Sequence, residues 1–175
     1  IDHTYRVAAL CERIAKAAGM CAYDVELAWL SGMLHDVGRF EQIKRYNTFS
    51  DADSVDHARF GADLLFKDGL ISTFLKGMVK CTGYKPGALE DRYGSDGVFL
   101  YNKLNKADME MLELAIRCHN MYRIPQGLNR REQAFCNVLR DADKVDIFKV
   151  NIDTPLEEIY NTTTEELMKS DITDE

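Results

Sequence analysis

The sequence contains no apolar run approaching the roughly 18 to 20 residues that a membrane-spanning helix needs, no block of basic residues, and no C-x-x-C pair. Residues 1–20 carry Asp2, Arg6, Glu12, Arg13 and Lys16 where a signal peptide would carry an apolar core, so a cytoplasmic location is expected, with no membrane contact. The net charge of −7 removes the electrostatic footprint of a general nucleic-acid binder. A small anion in a local positive pocket remains compatible with it. The five cysteines (Cys11, Cys21, Cys81, Cys118, Cys136) are odd in number and scattered, which fits reduced and mostly buried thiols better than a disulfide framework or a zinc knuckle. Internal repeats are absent, and two-residue alternation of apolar and polar side chains, the mark of a half-buried strand, is scarce.

What is present is helical periodicity. At 175 residues, with 46% hydrophobic and 29% charged residues, the chain has the size and balance of one globular domain. Val7, Leu10, Ile14 and Ala18 predict a first helix stopped by Gly19, and Asp24 is a candidate cap for a second that runs through Val25, Leu27, Ala28, Leu30 and Leu34 towards Gly38. A third is predicted from Asp53 or Ser54 to Gly69, and a fourth over 71–81. The glycine-rich 82–106 reads as a long connection or insertion, "TGYKPGALEDRYGSDG" being full of turn residues. Helices over 107–121 and 131–149 follow, separated by Pro125 and Gly127. The acidic tail suggests short helices at Pro155–Tyr160 and Thr164–Met168. The expected fold is all-α, with residues 1–150 forming the main domain and 151–175 an acidic helical extension of it.

Polar residues lie on the apolar faces of these helices. His3 precedes Val7 by four residues; His57 shares a face with Gly61 and Leu64; His119 continues Leu112 and Ile116; Asp143 follows Phe135 and Leu139 at four-residue steps; and Asp36 continues the face of Trp29 and Gly32. His35 stands beside Asp36. A single inward histidine is commonly a core residue bonded to a backbone carbonyl. An inward aspartate is harder to accommodate, because an unpaired buried carboxylate costs several kcal/mol or more. Four histidines and two aspartates on five helices share one explanation if they converge on metal, since imidazole and carboxylate are the ligands of zinc, iron, manganese or nickel.

The order of these residues, together with "HDVGRF" and "RDADKVDIF", resembles the HD-domain superfamily of metal-dependent phosphohydrolases, all-helical proteins named for the His-Asp dipeptide. The resemblance runs from His3 to about Phe148. It implies a compact helical bundle with a metal site between helices, in which His3, His35, Asp36 and Asp143 bind one ion. In binuclear members the positions matching His57 and His119 bind a second, and the position of Asp36 bridges both. Asp143 rather than Asp141 matches, since the family's aspartate falls in an "AD" before Lys or Arg.

The resemblance further implies hydrolysis of a phosphate ester or a nucleotide phosphate by a bridging water activated between two divalent ions, with manganese, iron, cobalt, nickel, zinc and magnesium all open. Asp36 and Arg39 are the candidate catalytic residues. Arg39, Lys44 and Arg45 are candidates to meet substrate phosphate, the last two from a loop, and Lys144 is a weaker one. The expected partner is a small phosphorylated molecule, and a homodimer is compatible with the sequence. The double histidine and Gly-Tyr-Pro signature of enzymes that cleave cyclic dinucleotides is missing, "NMYRIP" following His119 instead. Two other readings stay open: a di-iron oxygenase of the same superfamily, and a regulatory or ligand-binding module that retains a metal centre.

Overall fold

A computed structural model describes residues 2–80, 104–155, 157, 159 and 163–169. Among them every regular element is helical: α1 (Asp2–Ala17), α2 (Ala22–Leu34), α3 (Val37–Tyr46), α4 (His57–Ala62) continuing into a π-helical turn (Asp63–Lys67), α5 (Leu70–Lys80), α6 (Lys106–Cys118), α7 (Arg130–Asp153) and α8 (Thr164–Leu167). The all-α expectation holds. The predicted insertion over 82–106 and Cys81 fall largely outside the described residues, as do parts of the short helix expected at 155–160.

Helix α2 is the axis of the bundle. It buries Val25, Leu27, Ala28, Leu30, Ser31, Gly32 and Leu34, so it is covered on more than one side, and it packs against α1, α6 and α7. Phe135 and Leu139 of α7, with Leu112 and Ile116 of α6, complete a core in which each of these side chains is fully buried. The inward face of α1 consists of Val7, Ala8, Cys11 and Ala15, with Leu10 and Ile14 at its edge and Ala18 exposed. This face is rotated from the predicted one because α1 crosses α2 closely at Ala8. A Cβ on Gly32 would lie 2.6 Å from the Ala8 Cα.

Polar residues fix the helix ends. Asn105 and Asn129 cap α6 and α7 in reciprocal capping boxes with Asp108 and Glu132. Gly19 and Gly69 take positive φ, 71° and 76°, and stop the preceding helical segments as expected. Asp24 is not the cap of α2 but lies within its first turn, where Arg131 of α7 holds it at 2.6 Å. Arg131 also lies 2.7 Å from the buried Asp108, which accepts a 2.6 Å hydrogen bond from the Tyr23 hydroxyl. One guanidinium thereby ties three helices together.

The main departure from the sequence reading is at residues 35–56. The second helix does not run to Gly38. It ends at Leu34, Asp36 leaves helical geometry (φ −100°, ψ 16°), and α3 starts at Val37. Lys44 and Arg45 are therefore on a helix, not in a loop. The third predicted helix begins at His57, capped by Asp56, and not at Asp53 or Ser54. Residues 50–54 are held instead in turns, with the Ser54 hydroxyl donating to the Ser50 carbonyl at 2.6 Å and Gln42 donating to Asp51, Ser54 and Val55.

Gly38 has a different use from helix stopping: it lets α3 lie directly on α4. A Cβ there would meet the His57 carbonyl oxygen at 2.1 Å and the Gly61 nitrogen at 2.8 Å, both backbone atoms. Gly38→Ala must push α4, and His57 with it, away from Asp36. The expected result is a loss of about 1–3 kcal/mol in urea unfolding, together with weakened metal binding in calorimetry of the folded protein.

Candidate metal centre

The six predicted ligands come together, and all but one do so at helix ends. His3 is the second residue of α1. His35 caps the C-terminus of α2 and Asp36 the N-terminus of α3. His57 opens α4, and His119 caps the C-terminus of α6. Asp143 projects from the middle of α7, buried while its neighbours Asp141 and Lys144 are exposed.

Asp36 stands between two histidine pairs. Its Oδ2 lies 3.7 Å from His3 Nε2 and 3.5 Å from His35 Nε2, and Asp143 Oδ1 closes that side at 3.2 and 3.6 Å from the same two nitrogens. Its Oδ1 faces His57 Nε2 at 3.5 Å and His119 Nε2 at 3.8 Å. Most of these separations exceed a good hydrogen bond. Two atoms that each bind one ion at about 2.0–2.2 Å lie roughly 3.0–3.6 Å apart, which is close to the spacing seen. His3, His35 and Asp143 form one group able to hold a metal ion, and His35, Asp36 and His119 another.

Each imidazole is held by its other nitrogen. His35 Nδ1 donates to the Gly32 carbonyl and His119 Nδ1 to the Ile116 carbonyl, each at 2.7 Å and each three residues back. These carbonyls belong to the last turns of α2 and α6, where the helix leaves acceptors free. The two histidines at helix N-termini have no such acceptor in their own turn, since the first carbonyls of a helix accept bonds along it. Their Nδ1 atoms donate instead to carboxylates: His3 to Asp146 at 2.7 Å, and His57 to Asp51 at 2.6 Å. With all four Nδ1 atoms donating, every neutral ring presents a bare Nε2 to the centre. His35 Nε2 is buried without a hydrogen-bond partner, and the Nε2 atoms of His57 and His119 face each other at 3.1 Å. Unpartnered nitrogen lone pairs beside one buried and one half-buried carboxylate, Asp143 and Asp36, fit a cation. The donor set suits a divalent transition metal.

Asp146 and Asp51 were not among the candidates from the sequence. Asp146 lies three residues after Asp143 and so on nearly the same face of α7, a signal that was available. Asp51 sits in a loop, where periodicity says nothing. Each is itself gripped: Arg6 binds Asp146 with Nε at 2.7 Å and Nη2 at 2.9 Å, and Arg39 Nη1 binds Asp51 at 2.9 Å. Arg39, predicted to stand beside the ligands, has Nε 3.8 Å from Asp36 Oδ1, while its Nη1 also reaches Gln42 and the Phe49 carbonyl. Lys44 and Arg45 are exposed and both pair with Glu41, away from the six-residue cluster.

Charge in the centre is strongly coupled. Burial opposes ionisation of Asp143, yet pairing with His3 and His35 holds its carboxyl far below the usual range. Asp36 is also lowered against burial, by His35 and then by His119 and His57. Burial works against a charged His35 as well, but Asp36 and Asp143 outweigh it and raise its pKa to about 9. For His119, burial and the neighbouring His35 lower the pKa to about 4. A raised histidine pKa stabilises the fold below the unfolded value near 6.5 and loses that effect as pH rises through the folded one; a lowered pKa does the reverse on the acid side. The metal-free protein should therefore be most stable near pH 6.5. Its melting temperature should fall towards pH 9 through His35 and towards pH 4 through His119. Scanning calorimetry of chelator-treated protein checks this, and His35→Gln should flatten the alkaline limb.

The HD domain family model matches residues 1–151, a span that includes all six clustered residues. No curated protein and no solved structure matches the chain. With the namesake dipeptide at the α2–α3 junction and the match covering nearly all of the bundle, the chain belongs to the HD domain family, a superfamily of metal-dependent phosphohydrolases.

Proposed function

We propose that this HD domain holds two divalent ions and hydrolyses a phosphate ester or a nucleotide phosphate of small size. The observation that carries this reading is the division of Asp36, whose two oxygens face separate histidine pairs. His3, His35, Asp143 and Asp36 Oδ2 would hold one ion, and His57, His119 and Asp36 Oδ1 the other. Four imidazoles favour manganese, iron, cobalt, nickel or zinc over magnesium, which prefers oxygen ligands. When bound, such a pair supplies a water acidified towards neutrality and positive charge for the phosphoryl oxygens.

The contribution of the chain itself is positional. The Gly32 and Ile116 carbonyls fix the rings of His35 and His119 in the tautomer that leaves Nε2 bare. Full burial of His35 keeps water off that side of the centre. Asp143, whose carboxyl stays ionised beside His3 and His35, would offset part of the charge of the pair. The −7 net charge argues for a small phosphorylated substrate over a nucleic acid.

Metal-stripped protein, resupplied with Mn²⁺, Co²⁺ or Fe²⁺, should release phosphate from at least one member of a nucleotide and phosphoester panel. Asp36→Ala should bring release to background and weaken binding of both ions in calorimetry. A wild-type protein that binds metal but turns over nothing in the panel would overturn the hydrolase reading, and oxygen uptake with a coupled di-iron EPR signal would replace it with an oxygenase.

A further inference from the structure

We infer that Asp146 and Asp51 are positioning residues, one for each metal, and that Arg6 and Arg39 act as their clamps. The inference rests on the two-ion reading above and adds residues to it. Two relays of the same chemistry run into the centre from opposite sides. In one, Arg6 binds both oxygens of Asp146, whose Oδ2 accepts from His3 Nδ1 at 2.7 Å. In the other, Arg39 Nη1 and Gln42 Nε2 each bind Asp51 Oδ1 at 2.9 Å, while Asp51 Oδ2 accepts from His57 Nδ1 at 2.6 Å. Each arginine follows a member of the central cluster by three residues: Arg6 follows His3 within α1, and Arg39 of α3 follows Asp36, the N-cap of that helix. A turn of helix brings the clamp and the cluster to the same side.

The chemical consequence differs from that of the carbonyl-held pair. A carbonyl only accepts, and so does an ionised carboxylate, but the carboxylate also raises the basicity of the ring it holds and strengthens its bond to a metal. The arginines keep these carboxylates ionised and unable to rotate away. Each half of the centre then contains one histidine of each kind: His3 with His35, and His57 with His119. Replacing either aspartate by asparagine preserves size but offers an NH₂ as readily as an oxygen to Nδ1. The ring is then free to place its proton on Nε2, where a metal cannot bind.

Calorimetric titration of the folded, metal-stripped protein with Mn²⁺, and of its variants, tests this. Wild type should bind two ions per chain. Asp146→Asn should weaken one binding step by about 10- to 100-fold and Asp51→Asn the other, the range typical of second-sphere partners. Nitrogen-15 spectra of the metal-free histidine rings at alkaline pH should show the Nε2–H form appearing at His3 in the first variant and at His57 in the second, a change that a purely structural role would not produce. If an asparagine variant does not fold, Arg6→Gln or Arg39→Gln loosens the carboxylate while leaving it in place and should weaken the corresponding step to a smaller degree, Arg39→Gln also removing the 3.8 Å contact with Asp36. A wild type that binds no Mn²⁺ would overturn the two-ion reading itself. Two ions with unchanged affinities and tautomers in both variants would overturn only the positioning role, and weakening of the same step by both would overturn the assignment of one holder to each ion.

Discussion

Two carboxylates, Asp36 and Asp143, sit among four imidazoles whose outward nitrogens are already committed, and this constraint governs the surrounding structure. A carboxylate removed from bulk water needs a counter-charge. In the metal-free protein His35 can supply it by taking up a proton, and that proton occupies the same Nε2 lone pair a metal would use. Proton and metal therefore compete for one atom. Metal affinity and fold stability become functions of the same protonation equilibrium.

Helix ends solve the problem of bringing six polar groups to one point without breaking a helix in its middle. Five helices begin or end at the cluster, and of the six residues only Asp143 projects from within a helix. At a C-terminus the free carbonyls of the last turn become anchors for a histidine, as at Gly32 and Ile116. At an N-terminus there are free N–H groups but no free carbonyls, so a histidine there needs an acceptor from elsewhere. Asp146 comes from across the bundle and Asp51 from the α3–α4 connection. The bare contact between Gly38 and α4 serves the same purpose by bringing the His57 end of one helix against the Asp36 end of another.

Much of the site was legible in the sequence because burial leaves a periodic trace. His3, His57, His119 and Asp143 interrupt apolar stripes at helical spacing, and an inward aspartate between Ala142 and an exposed Lys144 already implies a partner. What periodicity could not show is the path of the chain where it leaves a helix. Glycine ends many helices, and spacing alone points to a stop at Gly38, whereas the chain turns at Asp36 and glycine is required by the close approach of α4. Asp51 was missed for the same reason: its role depends on a set of turns held by Gln42 and Arg39, contacts that no spacing rule encodes. Arg39 lies 3.8 Å from Asp36, and its several other acceptors become visible only with that loop in place.

The two kinds of histidine anchor differ in how they can change. A backbone carbonyl at the end of α2 or α6 has no side chain to substitute, so the orientation of His35 and His119 can be altered only by moving a helix end, which the buried flanks of Leu34 and Ile116 resist. The orientation and basicity of His3 and His57 depend on side chains, and a single substitution at Asp146 or Asp51 reaches them. Because each half of the cluster pairs one fixed ring with one adjustable ring, either half can change without dismantling the scaffold. Asp36, common to both halves, has no such latitude: any movement that improves its contact with one pair withdraws it from the other.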